Sequence, residues 1–195
     1  SEKRMIWAFK TQQGERLGEY QAGFRQGGGM AIAALSLASM MAQEGIVPSS
    51  YTPKQYLEAA IKGYDHLLEH NEEYLDNHKE NIIDFYCALM ASINLYRATK
   101  KSLYIEEGKK WVDKIVALYS DEQHSFLVES GSTRPFFHAS DTGLLFISLL
   151  EYYLLDEKNN GSLYLFLKKA CKDQINRTHE VINPFSLSRQ RVKSV

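Results

Sequence analysis

The residues best equipped for chemistry lie in one short stretch, Glu129-Ser130-Gly131-Ser132-Thr133-Arg134-Pro135-Phe136-Phe137-His138-Ala139-Ser140-Asp141. An arginine, two aromatic rings, an imidazole and a Ser-Asp pair stand close together there. Aromatic rings offer an apolar face on which a sugar stacks, and polar groups around them satisfy its hydroxyls. Structural roles compete for the same residues. Phe136 and Phe137 can close a core, and Ser140 or Asp141 can cap the helix that follows. His138 is open to ligand contact or to a structural hydrogen bond, because the sequence fixes no partner for it.

Two other loops carry polar groups into apolar sequence. Asn77-His78-Lys79-Glu80-Asn81-Ile82-Ile83-Asp84 concentrates charge just before a mostly apolar helix. Asp84, at the edge of that helix's buried face, is open to three roles: a base, an acceptor for a sugar hydroxyl, or a cap for the helix terminus. Glu80 and Lys79 read as a solvated pair. Further upstream, Tyr20-Gln21-Ala22-Gly23-Phe24-Arg25-Gln26-Gly27-Gly28-Gly29 ends in three consecutive glycines, which permit close backbone approach or positive φ. They either cradle a ligand or let helices pack closely, and the strand and spacing of a phosphate loop are missing. His66 and His70 stand four apart on one helix without a third ligand nearby, so they read as solvated side chains and no metal site is expected. No nucleophile elbow or dinucleotide fingerprint occurs, and no cofactor is expected.

The elements that must hold these loops repeat. Tyr56, Tyr104 and Tyr164 each open a helix; Asp65, Asp113 and Asp173 follow nine residues later, and Leu67, Ile115 and Ile175 two residues after that. Segments of a second kind begin near Gly27, Asp84 and Asp141. A period of roughly 50 residues built from two helices describes units that bury their apolar faces only by stacking on neighbours. The pattern predicts helices over Gly28–Glu44, from Pro53 behind the N-cap Thr52, over Ile82–Thr99, Leu103–Tyr119 and Asp141–Leu155, and from Leu163 to about Thr178. The first, third and fifth are apolar on nearly every face; the others carry charged stripes. Apolar inner helices alternating with amphipathic outer ones predict an all-α fold, an α/α toroid whose three helix pairs form part of an (α/α)6 barrel. Leu89, Ile93 and Leu144 would then be partly bare unless more chain, a second subunit or a tighter solenoid covers them, and more chain is the favoured reading.

Composition narrows the function. With 195 residues, 44% hydrophobic and 24% charged, the chain can form one domain over 1–195, and no linker tract interrupts it. A net charge of -1 gives no footprint for nucleic acid or an anionic membrane. Cys87 and Cys171 are too far apart in sequence to signal a disulfide framework or a metal knuckle. The apolar run Leu144 to Leu150 is far short of a membrane span, no targeting segment is visible, and a cytoplasmic setting is expected. The sequence opens at Ser1 without a methionine and reads as a segment of a longer polypeptide.

At its loops the chain resembles the glycoside hydrolase family nine enzymes, in the branch acting on glucosamine or chitobiose-type disaccharides. The likeness is carried by Phe24 to Ser39 (FRQGGGMAIAALSLAS), Lys79 to Thr99 (KENIIDFYCALMASINLYRAT), Arg134 to Leu144 (RPFFHASDTGL) and Asn183 to Gln190 (NPFSLSRQ). The resemblance implies an (α/α)6 barrel that hydrolyses a β-linked disaccharide with inversion, one carboxylate activating water and another protonating the leaving oxygen. The family's water-activating aspartates and its acid glutamate lie in segments that have no counterpart in this sequence, so no catalytic residue is assigned. By the same resemblance, Arg25, Asp84, Arg134, Phe137, His138 and Asp141 are the residues nearest an oligosaccharide substrate. Two positions depart from the pattern: Phe85 stands where a second acid is expected, and Leu145 where a proline is. Two other classes fit the same architecture. One is an N-acylglucosamine epimerase-like isomerase using His138 and His179 as acid and base. The other is a non-enzymatic α-solenoid that binds a partner on its concave face.

Overall fold

The structure, a computed structural model, describes residues 21–46, 49–136, 142–155 and 161–179. These residues are predominantly helical: α1 (Gly28–Gln43), α2 (Pro53–His70), α3 (Ile82–Thr99), α4 (Leu103–Ala117), α5 (Thr142–Leu155) and α6 (Gly161–His179). A 3-10 turn precedes α1 at Phe24–Gln26 and another follows α2 at Asn71–Tyr74. After α4 the chain makes a small hairpin of β1 (Tyr119–Ser120) and β2 (Ser125–Phe126), which the helical periodicity did not signal. The fourth helix accordingly ends at Ala117 rather than Tyr119.

Helix boundaries follow local chemistry. Thr52 accepts the Gln55 N–H while Gln55 reaches back to the Thr52 N–H, and Pro53 fills the first helical position of α2. At the start of α3 the Asn81 side chain accepts from the Ile83 N–H while Asp84 reaches back to accept from the Asn81 N–H. Past α1, Gly45 adopts φ +68°, a left-handed conformation that ends the helix.

Helix α3 is the centre of the packing. It rests on α1, α4 and α5, while α2 lies on α1 and α6 on α5. The contacts place α1, α3 and α5 in one row, the row expected to be the inner one, with α2, α4 and α6 packed along it. Burial follows: Ile82, Tyr86, Ala88, Leu89, Ala91, Ile93 and Leu95 of α3 are buried. Leu89 and Ile93, expected to be partly bare, are enclosed by neighbouring helices, and only Leu144 is half-covered. Apolar side chains left exposed occur on both layers: Leu37 of α1 and Ile147, Leu150 and Leu154 of α5, but also Leu68 of α2, Leu103 of α4 and Leu165 and Ile175 of α6.

Two close approaches set the spacing within the row and to the outer layer. A Cβ at Gly29 of α1 would stand 2.6 Å from the Cys87 carbonyl oxygen of α3, so the two backbones touch there. A Cβ at Gly108 of α4 would stand 2.8 Å from the ring of Tyr152 on α5, whose hydroxyl donates to the Ile105 carbonyl. An aromatic cluster ties the outer layer together. Phe24 meets Tyr64 and Trp111 edge-on, Tyr64 meets Tyr104, and the Trp111 indole N–H donates to the Tyr64 hydroxyl at 3.0 Å. Burial pushes the Tyr64 phenol up to about 12. The sequence repeat does not survive as equivalent contacts: Tyr104 is buried, Tyr56 is half-buried against Ser49, and Tyr164 is exposed. Among the described residues no helix is long and apolar enough to cross a membrane.

Gly29→Ala tests the backbone contact. Because the new methyl meets backbone rather than a movable side chain, α1 and α3 must separate, at a cost of about 1–3 kcal/mol. Urea unfolding should show this as a lower midpoint with an unchanged slope. Gly143→Ala, where an added Cβ meets nothing within 4 Å, should change the midpoint little or raise it.

Candidate functional site

The loops that lead into the inner helices gather at one end of α3. The 3-10 turn before α1 is bonded to Asp84, and the Ile82 N–H donates to the Val128 carbonyl of the long loop that precedes α5. The Val128 N–H in turn donates to the Arg134 carbonyl, and the rings of Phe136 and Tyr86 lie 6.2 Å apart. Arg25, Asp84 and Arg134 thus share one end of the inner row. Phe137, His138 and Asp141 lie outside the described residues.

Asp84 is the organising group. Its side chain is fully buried and accepts from the Asn81 N–H (3.0 Å), the Arg25 N–H (3.2 Å), the Arg25 guanidinium (3.1 Å) and the Asn71 amide (3.4 Å). Burial pushes the carboxyl above the usual aspartate range, and the Asn81, Arg25 and Asn71 donors pull it back only in part. Enclosed in this way, Asp84 acts as the cap and latch among its three possible roles, not as a hydroxyl acceptor open to a ligand. Arg25 is committed too, its guanidinium reaching Asp84, the Lys79 carbonyl and the Asn77 side chain. Both residues therefore shape the loops rather than present charge to solvent.

Several members of this network were not legible in the sequence. Asn71, just past α2, accepts from the Phe24 N–H at 2.7 Å and donates to Glu80 and Asp84. Glu80 is not a solvated partner of Lys79: it binds Asn71 and forms an ion pair with Lys114 of α4 at 2.9 Å. Lys114 also lies over Trp111, at 4.4 Å from the ring centroid, and over Phe85 at 5.0 Å. Phe85, at the position where the resemblance calls for a second acid, stacks on Trp111 between α3 and α4. Leu145, at the expected proline, is buried in the first turns of α5.

The glycine run serves close packing. Gly27 takes φ +109°, and a Cβ at Gly28 would meet the Gly23 carbonyl at 2.8 Å. His66 and His70 are occupied by Tyr74 and Glu73, and no group of three metal-binding side chains occurs among the described residues. Arg134 is exposed, and its guanidinium makes no ion pair with another described residue. Lys79, whose carbonyl accepts from Arg25, is likewise exposed at this end.

Comparison with family models finds none that matches this chain, and comparison with curated proteins finds no match.

Asp84→Asn would turn an amide N–H toward the Asn81 and Arg25 donors and strand the guanidinium, at a cost of about 3 kcal/mol near neutral pH. The folded-state pKa lies above the unfolded value, so the native state holds this proton more tightly. The carboxyl's contribution to stability therefore falls as pH rises through the ordinary aspartate range and levels off above the raised pKa. Urea midpoints of wild type and Asp84→Asn, measured across that range, should give a difference that narrows as pH rises. A difference that widens would show that the donors outweigh burial.

Proposed function

We propose that the chain is the sugar-facing middle of an inverting glycoside hydrolase, three of the six helix pairs of an (α/α)6 barrel, acting on a β-linked glucosamine, N-acetylglucosamine or glucose disaccharide. The observation that carries this reading is the gathering of three loops at the N-terminal end of the inner row. Arg134 is exposed there beside the segment that bears Phe137 and His138. Loops gathered at one end of the row, with an exposed cation among them, suit a polyol with no formal charge. The sequence resemblance supplies the substrate class.

Inversion needs two carboxyl groups far enough apart to admit a water, roughly 6.5–9.5 Å. Asp84, surrounded by donors, supplies neither of them. The acid and base come from segments beyond this sequence, so the chain binds sugar without cleaving it.

Saturation-transfer NMR and titration calorimetry with chitobiose, glucosamine dimer and cellobiose test the reading. Weak, saturable binding of at least one disaccharide is expected, weakened tenfold or more by Arg134→Ala, with no product formed. Absence of binding to all three would remove the sugar reading. Turnover by the 195-residue chain would overturn the assignment of the carboxylates to segments outside it.

A further inference from the structure

Of the three aspartates at repeating positions, Asp65 and Asp113 are exposed, and Asp113 pairs with Lys109 of its own helix. Asp173 of α6 differs: it is half-buried and reaches another element. Its carboxylate accepts from the Tyr119 hydroxyl of β1, and the His124 imidazole lies 3.5 Å from it. One turn earlier on α6, Lys169 pairs with Asp121 and lies over the Tyr119 ring, 5.3 Å from its centroid. Tyr119 stands opposite Phe126 in the hairpin, so Asp121 to His124 form the turn between β1 and β2. The helix thus grips both ends of that turn.

Rings back the grip. Tyr119 meets Phe126 of β2 and Phe166 of α6 edge-on, at 5.1 and 5.3 Å between centroids. Burial, and after it the Asp173 carboxylate, push the Tyr119 phenol well above its ordinary range, so it stays a donor to Asp173. His124 takes φ +50°, a left-handed conformation that a side chain other than glycine adopts where its surroundings hold it.

Gln123 lies inside the gripped turn and faces the site. Its backbone N–H donates to the Ser120 hydroxyl at 3.2 Å, and its side-chain amide donates to the Thr133 carbonyl at 3.0 Å. Thr133 adjoins Arg134, in a loop closed at its base by the Leu127–Pro135 bridge and by the Val128 N–H donating to the Arg134 carbonyl. We infer that α6, acting through Asp173, Lys169 and the turn at Gln123, sets the position of the loop that carries Arg134. Asp173 and Gln123 are positioning residues, coupled to the site through a contiguous set of hydrogen bonds and ion pairs. The inference rests on the sugar reading for what Arg134 meets, but the order of the loop is measured without a ligand.

Hydrogen exchange of the 195-residue chain, followed by mass spectrometry, reads that order. Asp173→Ala should speed exchange about fivefold or more over 119–126 and 127–135, with α1 and α2 at wild-type rates. Asp113→Ala, at the matching repeat position, should leave both stretches unchanged. Gln123→Glu keeps the size of the side chain but replaces the donor with a carboxylate, so it should loosen 127–135 while α6 stays protected. If wild type binds a disaccharide, Gln123→Glu should weaken that binding severalfold; if it binds none, the sugar reading fails and exchange alone decides this inference. Wild-type exchange over 127–135 in either Asp173→Ala or Gln123→Glu, or equal loosening in Asp113→Ala, would overturn it.

Discussion

The fold hangs on a buried carboxylate. Asp84 starts α3, and its acceptors hold the turn before α1, the start of α3 itself and the residue just past α2. Removing a carboxylate from water is costly, and here burial still raises its proton affinity despite an adjacent guanidinium. Its value lies in geometry. An acceptor-only group surrounded by four donors admits one arrangement of three loops, where an apolar residue of similar size would admit several.

From that latch the rest of the packing follows outward. With the turn before α1 fixed, Phe24 is set against Tyr64 and Trp111, which joins α2 to α4. Asn71 and Glu80 carry the network on to Lys114, so polar pairing and ring stacking converge on the same helix of the outer layer. The glycines act in parallel. Gly29 lets α1 lie backbone to backbone on α3, which brings the N-terminal ends of both helices within reach of one another's loops.

Exposed aliphatic side chains are spread over both layers of helices rather than confined to one. The half-covered row on α3 continues the theme, since Ile83, Met90 and Arg97 recur every seven residues on its least buried side. Ile83 and Met90 keep that side aliphatic until Arg97, which pairs with Glu151 of α5. Polar groups gather around Asp84 at the loop end of α3, and the Arg97–Glu151 pair stands toward the other end of that helix.

Much of the secondary structure was legible in the sequence because it depends on neighbours in the chain. Thr52-Pro53, Asn81 with Asp84, and Gly45 announce helix ends through capping and φ preference, and these ends fall at or next to the observed ones. The alternation of apolar and amphipathic helices is likewise a local property. The roles of the site residues were not legible. Asp84 was singled out as a polar group at the edge of an apolar helix and Arg25 through the family resemblance, but whether they face a ligand or each other turns on a 59-residue separation closing in space. Asn71 and Lys114 carry no signal at all until α2 and α4 are brought beside α3. The repeated Tyr and Asp positions share a spacing but not an environment. Sequence determined which segments are helices and which faces are apolar; the tertiary structure decided which polar groups are consumed in holding loops together and which apolar faces remain open. Burial and pairing are long-range quantities that no local pattern contains.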